Sequence, residues 1–302
     1  MQDSPKPLSV ALVATPGVQE AALLGLTDLF AVANRFAPGR IAATRVQQPV
    51  PHRFDVVLFL PSLGGSRGTP DHPLALWARE QHRQGARLCS VCAGAFWLGA
   101  AGVLDRRPVT THWALEDEFR AAFPNARLEP EQILIDDHDI VTAGGLMAWI
   151  DLGLFLVGQA GGPALVSQVA RHLLVDPSGR EQRNYRTFRP NRGHGDAAIL
   201  AVQTWLETHH PQPVLAEDMA AVAALSGRSF LRRFRAATGL TPSAYLQHLR
   251  IEKARGLLER TPTPVAEIGW AVGYADAAAF ARVFRQITGV TAGDYRRRFA
   301  IA

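Results

Sequence analysis

Apolar residues in this 302-residue chain follow two patterns: nearly unbroken runs in the first half and a helical period in the last third. Leu8–Thr15 (LSVALVAT) stops at Pro16-Gly17, and Asp55–Leu60 (DVVLFL) stops at a loop holding Gly64-Gly65. Runs of this kind predict strands buried on both faces, as in a parallel sheet. Arg87–Val91 (RLCSV) predicts a third strand, which turns at Cys92-Ala93-Gly94. Helices are predicted over Ala21–Asn34, Leu74–Gln84 and Ala95–Ala101. Ile133–Ile135 and Ile140–Thr142 predict a short hairpin around Asp136–Asp139. Strands alternating with helices predict an α/β domain: a mostly parallel sheet sandwiched by helices.

The last third repeats itself. Ser229–Tyr245 (SFLRRFRAATGLTPSAY) and Ala279–Tyr295 (AFARVFRQITGVTAGDY) are identical at eight of seventeen positions, at an offset of 50 residues. Each copy reads as a helix ending in Thr-Gly, with glycine where the chain leaves the helix in left-handed geometry. The phenylalanines in each copy are four apart and share one buried face, with Arg232 and Arg282 on the opposite side. A shorter helix precedes each copy, over Ala216–Ala224 and Val265–Val272. Helix, tight turn and second helix with an open basic face is the helix-turn-helix arrangement. Pro242–Glu259, with apolar residues at Tyr245, Leu246, Leu249, Ala254, Leu257 and Leu258, predicts a linking helix.

Charge divides along the same lines. Residues 1–170 carry 13 Lys and Arg against 16 Asp and Glu, residues 171–194 carry 6 against 2, and residues 195–302 carry 13 against 9. The positive charge thus lies in the second part, as expected if only that part meets a polyanion. A net of +4 is modest, however, and does not by itself name nucleic acid. Asp176–Gly195 is rich in Pro, Gly and Arg and lacks periodicity, so the expected organisation is a domain over 1–175, a linker over 176–195 and a helical domain over 196–302. With 47% hydrophobic and 20% charged residues, the chain has the balance of an ordinary globular protein. Met1–Pro7 lacks the pattern of a signal peptide, and no window holds eighteen unbroken apolar residues, so neither export nor a membrane span is expected. Two cysteines are too few for a secreted disulfide scaffold, which leaves the cytoplasm as the default.

Asp218–Phe299 resembles the AraC/XylS DNA-binding domain, most closely in the run G-Y-x-D-x-x-x-F-x-R-x-F-R-x-x-T-G from Gly273 to Gly289. The resemblance implies about seven helices, two of them recognition helices entering successive major-groove segments roughly 34 Å apart. Carried over by position, Arg228, Leu231 and Arg232 face the bases, while Ser229, Arg233 and Arg235 face phosphates. The second copy presents Ala277, Ala278, Ala281, Arg282 and Arg285. Where the family often has Ser and Pro, this chain has Ala278 and Ala292, and alanine offers at most a methyl contact to thymine. The first unit is therefore expected to carry most of the sequence readout.

Ser90–Gly94 (SVCAG) has the small residues of a strand-to-helix elbow, which would expose Cys92 at a helix N-terminus and favour its thiolate. His112 in Thr111-His112-Trp113 is a candidate partner, with the alternative that neither residue is reactive. Cys89-x-x-Cys92 has the spacing of a redox pair, but Cys89 lies inside a strand and should face the core. The stretches SVCAGAFWLGAAGVLD, TTHW and TAGGLMAWIDLGL resemble the PfpI-like, class I glutamine amidotransferase-like domain of GlxA-type regulators, over residues 8–170, which implies a flavodoxin-like sheet. In that wider superfamily an acid about five positions after the first Pro-Gly supports the cysteine; here that position is Ala22. The resemblance thus implies a former enzyme scaffold retained for sensing, with no cofactor, no metal and no catalytic residue.

An effector pocket is expected at the C-terminal ends of the strands, lined by Gly64, Gly65, Cys92, Ala93, His112, Gly144, Trp113 and Trp149. Trp97, Trp113 and Trp149 suit either a cationic ligand such as an amine or simple core packing. The partners implied are double-stranded DNA, a small-molecule effector, RNA polymerase and a second copy of the chain. The competing readings are a cysteine-dependent hydrolase or amidase fused to a DNA-binding module, and a thiol redox regulator.

Overall fold

A computed structural model describes residues 6–65, 67–177 and 180–300, in two compact units, Met1–Gln182 and Arg183–Ala302. The first is the α/β domain. Strands β1 (Leu8–Val13), β2 (Ile41–Val46), β3 (Val56–Phe59) and β4 (Arg87–Val91) are parallel and pair in the order β2-β1-β3-β4. Two short strands, β5 (Pro108–Val109) and β6 (Arg127–Leu128), form a separate pair. The hairpin expected near residue 133 is present as β7 (Leu134–Asp137) and β8 (Ile140–Ala143). Strand β8 extends the parallel sheet beside β4, and β7 closes that edge antiparallel. The run β2-β1-β3-β4-β8 is the doubly wound flavodoxin order.

The two-sided burial expected of the apolar runs is literal. Val10, Leu12, Val56 and Leu58 point to one layer, Ala11, Val13, Val57 and Phe59 to the other. Helices α1 (Glu20–Phe36) and α5 (Trp149–Leu173) cover the first face. Helices α2 (Pro73–Arg83), α3 (Ala95–Ala100) and α4 (Glu116–Ala122) cover the second. The apolar pattern did not reveal β2, because only its two end residues are buried. Helix α5 is long and apolar enough, by length and composition, to cross a membrane. Here its apolar stripe is spent on α1 and the sheet, and it breaks at Gly162 (φ 77°) and Pro163.

The second unit is helical: α6 (Ala197–His209), α7 (Ala216–Val222), α8 (Gly227–Thr238), α9 (Pro242–Arg260), α10 (Val265–Ala271), α11 (Ala277–Thr288) and α12 (Ala292–Phe299). The duplication is structural. Helices α7 and α10 end in the same motif, with Leu225 N–H donating to Ala220 O (3.1 Å) and Tyr274 N–H to Gly269 O (3.0 Å). Ala224 (φ 52°) and Gly273 (φ 97°) make the left-handed step, 49 residues apart. The next caps, Ser226 and Asp276, are 50 apart, so the second turn holds one extra residue. Both recognition helices stop at a left-handed glycine, Gly239 and Gly289.

Each half has an aromatic core, Phe230, Phe234 and Tyr245 in one, Phe280, Phe284 and Tyr295 in the other. Phe234→Ala or Phe284→Ala should each lower stability by about 3–5 kcal/mol, the cost of a large cavity in a fully buried site. A shift of the urea midpoint equivalent to less than ~1 kcal/mol would show that these rings are not the core.

Candidate DNA interface and effector region

Helix α8 is amphipathic by position. Its buried side holds Phe230 and Phe234, while Arg228, Leu231, Arg232 and Arg235 are exposed and share one face at helical spacing. Ser226 caps it, its Oγ accepting from Ser229 N–H (3.4 Å) and donating to Ser229 Oγ (3.1 Å). Helix α11 exposes Ala277, Ala278, Ala281, Arg282 and Arg285 on the corresponding face. Its cap is charged: the Asp276 carboxylate accepts from Ala278 N–H and Ala279 N–H, both at 3.0 Å.

Arg233 has a partner other than the phosphate expected for it. Its guanidinium makes a two-pronged ion pair with Asp196, at 2.9 and 2.7 Å. That hydrogen bonding holds the Asp196 carboxyl below its ordinary range. Asp196 also caps α6 by accepting from Ile199 N–H (3.2 Å), so Arg233 ties α8 to α6. One position past Arg232 turns the side chain by about 100°, from the open face toward the neighbouring helix.

In the first unit, β4 does turn sharply into a short 3-10 segment, Cys92–Gly94, and then α3. Cys92 sits at φ 54°, a strained conformation for a residue with a side chain. Gly94 is required there, since a Cβ would lie 2.4 Å from Phe59 O. The expected activation of the thiol is absent. Burial pushes Cys92 up to about 11, outweighing the Ala93 backbone hydrogen bond and the charge of Arg67. Cys89 is fully buried and pushed up to about 12 by the same cause. Both thiols are free.

His112 is half-buried, and its Nδ1 accepts from Ala114 N–H (3.0 Å), which puts the proton of the neutral ring on Nε2. Its neighbour Thr111 donates from Oγ1 to Cys92 O (2.7 Å), joining this loop to the elbow. Beside them, space that a side chain at Gly144 would fill is taken by Gln182, whose Nε2 lies 1.8 Å from an ideal Cβ there. Gln182 is almost fully buried, its Nε2 donating to Thr111 O (2.7 Å), Thr110 Oγ1 (3.0 Å) and Gln132 O (3.0 Å). Its Oε1 accepts from Trp113 N–H (3.0 Å). Thr111, Trp113 and Gly144 therefore gather around a carboxamide from the chain itself, with Cys92 joined to them through Thr111. Gln182 lies in the stretch expected to be a linker, and nothing in its Arg-rich surroundings marks it as a core residue.

Of the other expected lining residues, Gly64 and Gly65 lie on the loop after β3 that also carries Arg67, and Trp149 opens α5. A Cβ on Gly17 would sit 3.1 Å from the backbone of Gly64, and Gly65 follows with φ 68°. Trp149 lies over Gly25 of α1, where an added Cβ would meet its ring at 2.4 Å. Trp97 is buried, stacked on Phe59 (5.6 Å, 9°) with the His72 ring edge-on at 4.8 Å, so no face is left for a cation. Ala22 is fully buried.

Comparison with known proteins agrees with both halves. A model of the DJ-1/PfpI family matches residues 44–159, and a helix-turn-helix domain model matches residues 219–298. The chain is 31% identical over 223 residues to the HTH-type transcriptional regulator GlxA of Rhizobium meliloti, covering 73% of this chain and 68% of that protein. This chain belongs to the AraC-type helix-turn-helix transcriptional regulators with a DJ-1/PfpI domain. It is also 32% identical over 213 residues to the HTH-type transcriptional regulator CdhR of Pseudomonas aeruginosa, and there the match spans just under two thirds (63%) of the relative and 70% of this chain. Among solved structures, DJ-1beta of Drosophila melanogaster is similar at 20% identity and a TM-score of 0.48, covering 56% of this chain and 99% of that one.

A thiol pushed from about 9 to about 11 holds roughly a hundredfold less thiolate at neutral pH. Iodoacetamide should therefore alkylate Cys92 of the folded protein at least about a hundredfold more slowly than free cysteine at pH 7.5. Rapid labelling of Cys92, read by peptide mass spectrometry, would restore the activated elbow.

Proposed function

We propose that this protein is a sequence-specific, DNA-binding transcription regulator whose first unit senses a small molecule without catalysing a reaction. The observation that carries the reading is the pair of duplicated helices, α8 and α11, each buried by two phenylalanines and open on the face bearing Arg232 or Arg282. In this reading Arg228, Leu231 and Arg232 contact base edges, and Ser229, Arg235, Arg282 and Arg285 hold phosphates. Acting on transcription brings in RNA polymerase, and a two-domain regulator of this kind works as a homodimer in the cytoplasm. A cysteine hydrolase or redox switch would need a reachable thiolate, whereas Cys92 is buried and protonated and Ala22 supplies no base.

The two recognition helices differ in ways that favour the first as reader. At four matched positions α8 offers Arg228, Leu231, Arg232 and Arg235 against Ala278, Ala281, Arg282 and Arg285 in α11. The caps push the same way. Ser226 is neutral, while the Asp276 carboxylate both occupies the first N–H groups of α11 and repels phosphate.

The test is binding of the full chain to the DNA upstream of its own and neighbouring genes, by fluorescence anisotropy across a salt series. Arg232→Ala should lose about 1–3 kcal/mol of discrimination between its site and unrelated DNA, roughly five- to 150-fold. Arg282→Ala should weaken binding to all sequences alike and flatten the salt dependence by about one phosphate contact. Equal loss of discrimination in the two variants would contradict the asymmetry, and weak, sequence-independent binding by the wild type would overturn the regulator reading.

A further inference from the structure

A cavity of about 510 Å³ opens in the first unit away from the elbow, between edge strand β7 and helix α5. Its volume lies within the roughly 300–1,000 Å³ of small-molecule sites. The walls are mainly apolar, from Ile133, Leu134, Leu154, Phe155 and Val166, with Pro163 where α5 breaks. Two opposite charges also line it. Arg180 reaches Asp151 through Nε (3.3 Å to Oδ1) and more closely through Nη2 to Oδ2, and Nη2 also donates to Met147 O (3.3 Å). The Asp151 side chain is 11% exposed and that of Arg180 29%.

We infer that this cavity is the effector site and that its ligand is a small zwitterion with an apolar body, such as a hydrophobic α-amino acid. The inference rests on the sensing role proposed above. The chemistry selects the class. An anion alone would draw Arg180 away and strand a nearly buried carboxylate, which is strongly unfavourable. A cation alone would take Asp151 and discard the charge-paired bonds of Arg180. A zwitterion satisfies both, its carboxylate on Arg180 and its ammonium on Asp151, while its apolar body lies on the Leu154 and Phe155 wall. Arg180 stands two residues before Gln182, the buried carboxamide that ends the first unit. A ligand that pulls on Arg180 therefore acts on the chain leading to Arg183, where the DNA-binding unit begins.

The experiment is thermal unfolding of the full-length protein against the twenty common L-amino acids, repeated for L-leucine beside 4-methylpentanoate and 3-methylbutylamine. At least one apolar amino acid should raise the unfolding midpoint by about 5 °C at a hundredfold excess over its Kd. The acid and amine analogues should each bind at least tenfold more weakly. Asp151→Asn and Arg180→Gln should abolish the shift, and Leu154→Trp should abolish it by filling the cavity with both charges left in place. No shift with any amino acid, or a shift that survives in Arg180→Gln and Leu154→Trp, would overturn the assignment. The same proteins are assayed on DNA without ligand: intact site-specific binding beside a silent cavity sinks the effector site alone, whereas wild-type failure on DNA sinks the regulator reading instead.

Discussion

The DNA-binding half depends on one helix being buried on two different sides. Tyr245, Leu246 and Leu249 of α9 enter the first aromatic core, and Ile251, Ala254 and Leu258 enter the second. At 100° per residue these two sets lie on roughly opposite faces of the helix. A single rigid rod of 19 residues thus carries one helix-turn-helix on each side, so the two exposed arginine faces keep a fixed relation. Arg255 strengthens the second side. It is almost fully buried, donates to Arg183 O (3.2 Å) and lies over the Tyr295 ring at 5.4 Å. That contact also fastens the first residues after the sensor domain onto the helical unit.

Desolvation is the corresponding constraint in the first unit. The strands β1, β3 and β4 are buried on both faces, so whatever follows them begins in a dry setting. An elbow there keeps the backbone shape of a nucleophile site while its thiol stays neutral. The same dryness makes each polar insertion consequential. Gln182 is tolerated because its carboxamide meets three acceptors and one donor, and Asp151 because Arg180 answers it. A buried, neutral thiol at Cys92 is compatible with recognition elsewhere in the same fold, since a binding site needs paired polar groups and room rather than an ionised sulfur.

Most of the secondary structure was legible in the sequence, for identifiable reasons. Continuous apolar runs announced β1, β3 and β4, and the 50-residue repeat announced α8 and α11. Strand β2 was invisible because four of its six residues are exposed, and α5 because a Gly-Gly-Pro break interrupts its pattern. Ile251 escaped because α9 changes its buried face midway, which a single helical stripe cannot describe.

The sequence by itself determined the two folds, the duplication and the set of arginines at one helical spacing, because local periodicity and turn chemistry are written residue by residue. Tertiary structure alone decided which of those groups are available. It paired Arg233 with Asp196, buried the Cys92 thiol, closed Trp97 between Phe59 and His72, and set Gln182 and Arg180 into the sensor unit. Each outcome turns on solvent exclusion or on a partner distant in the chain, and neither is encoded in any short stretch of sequence.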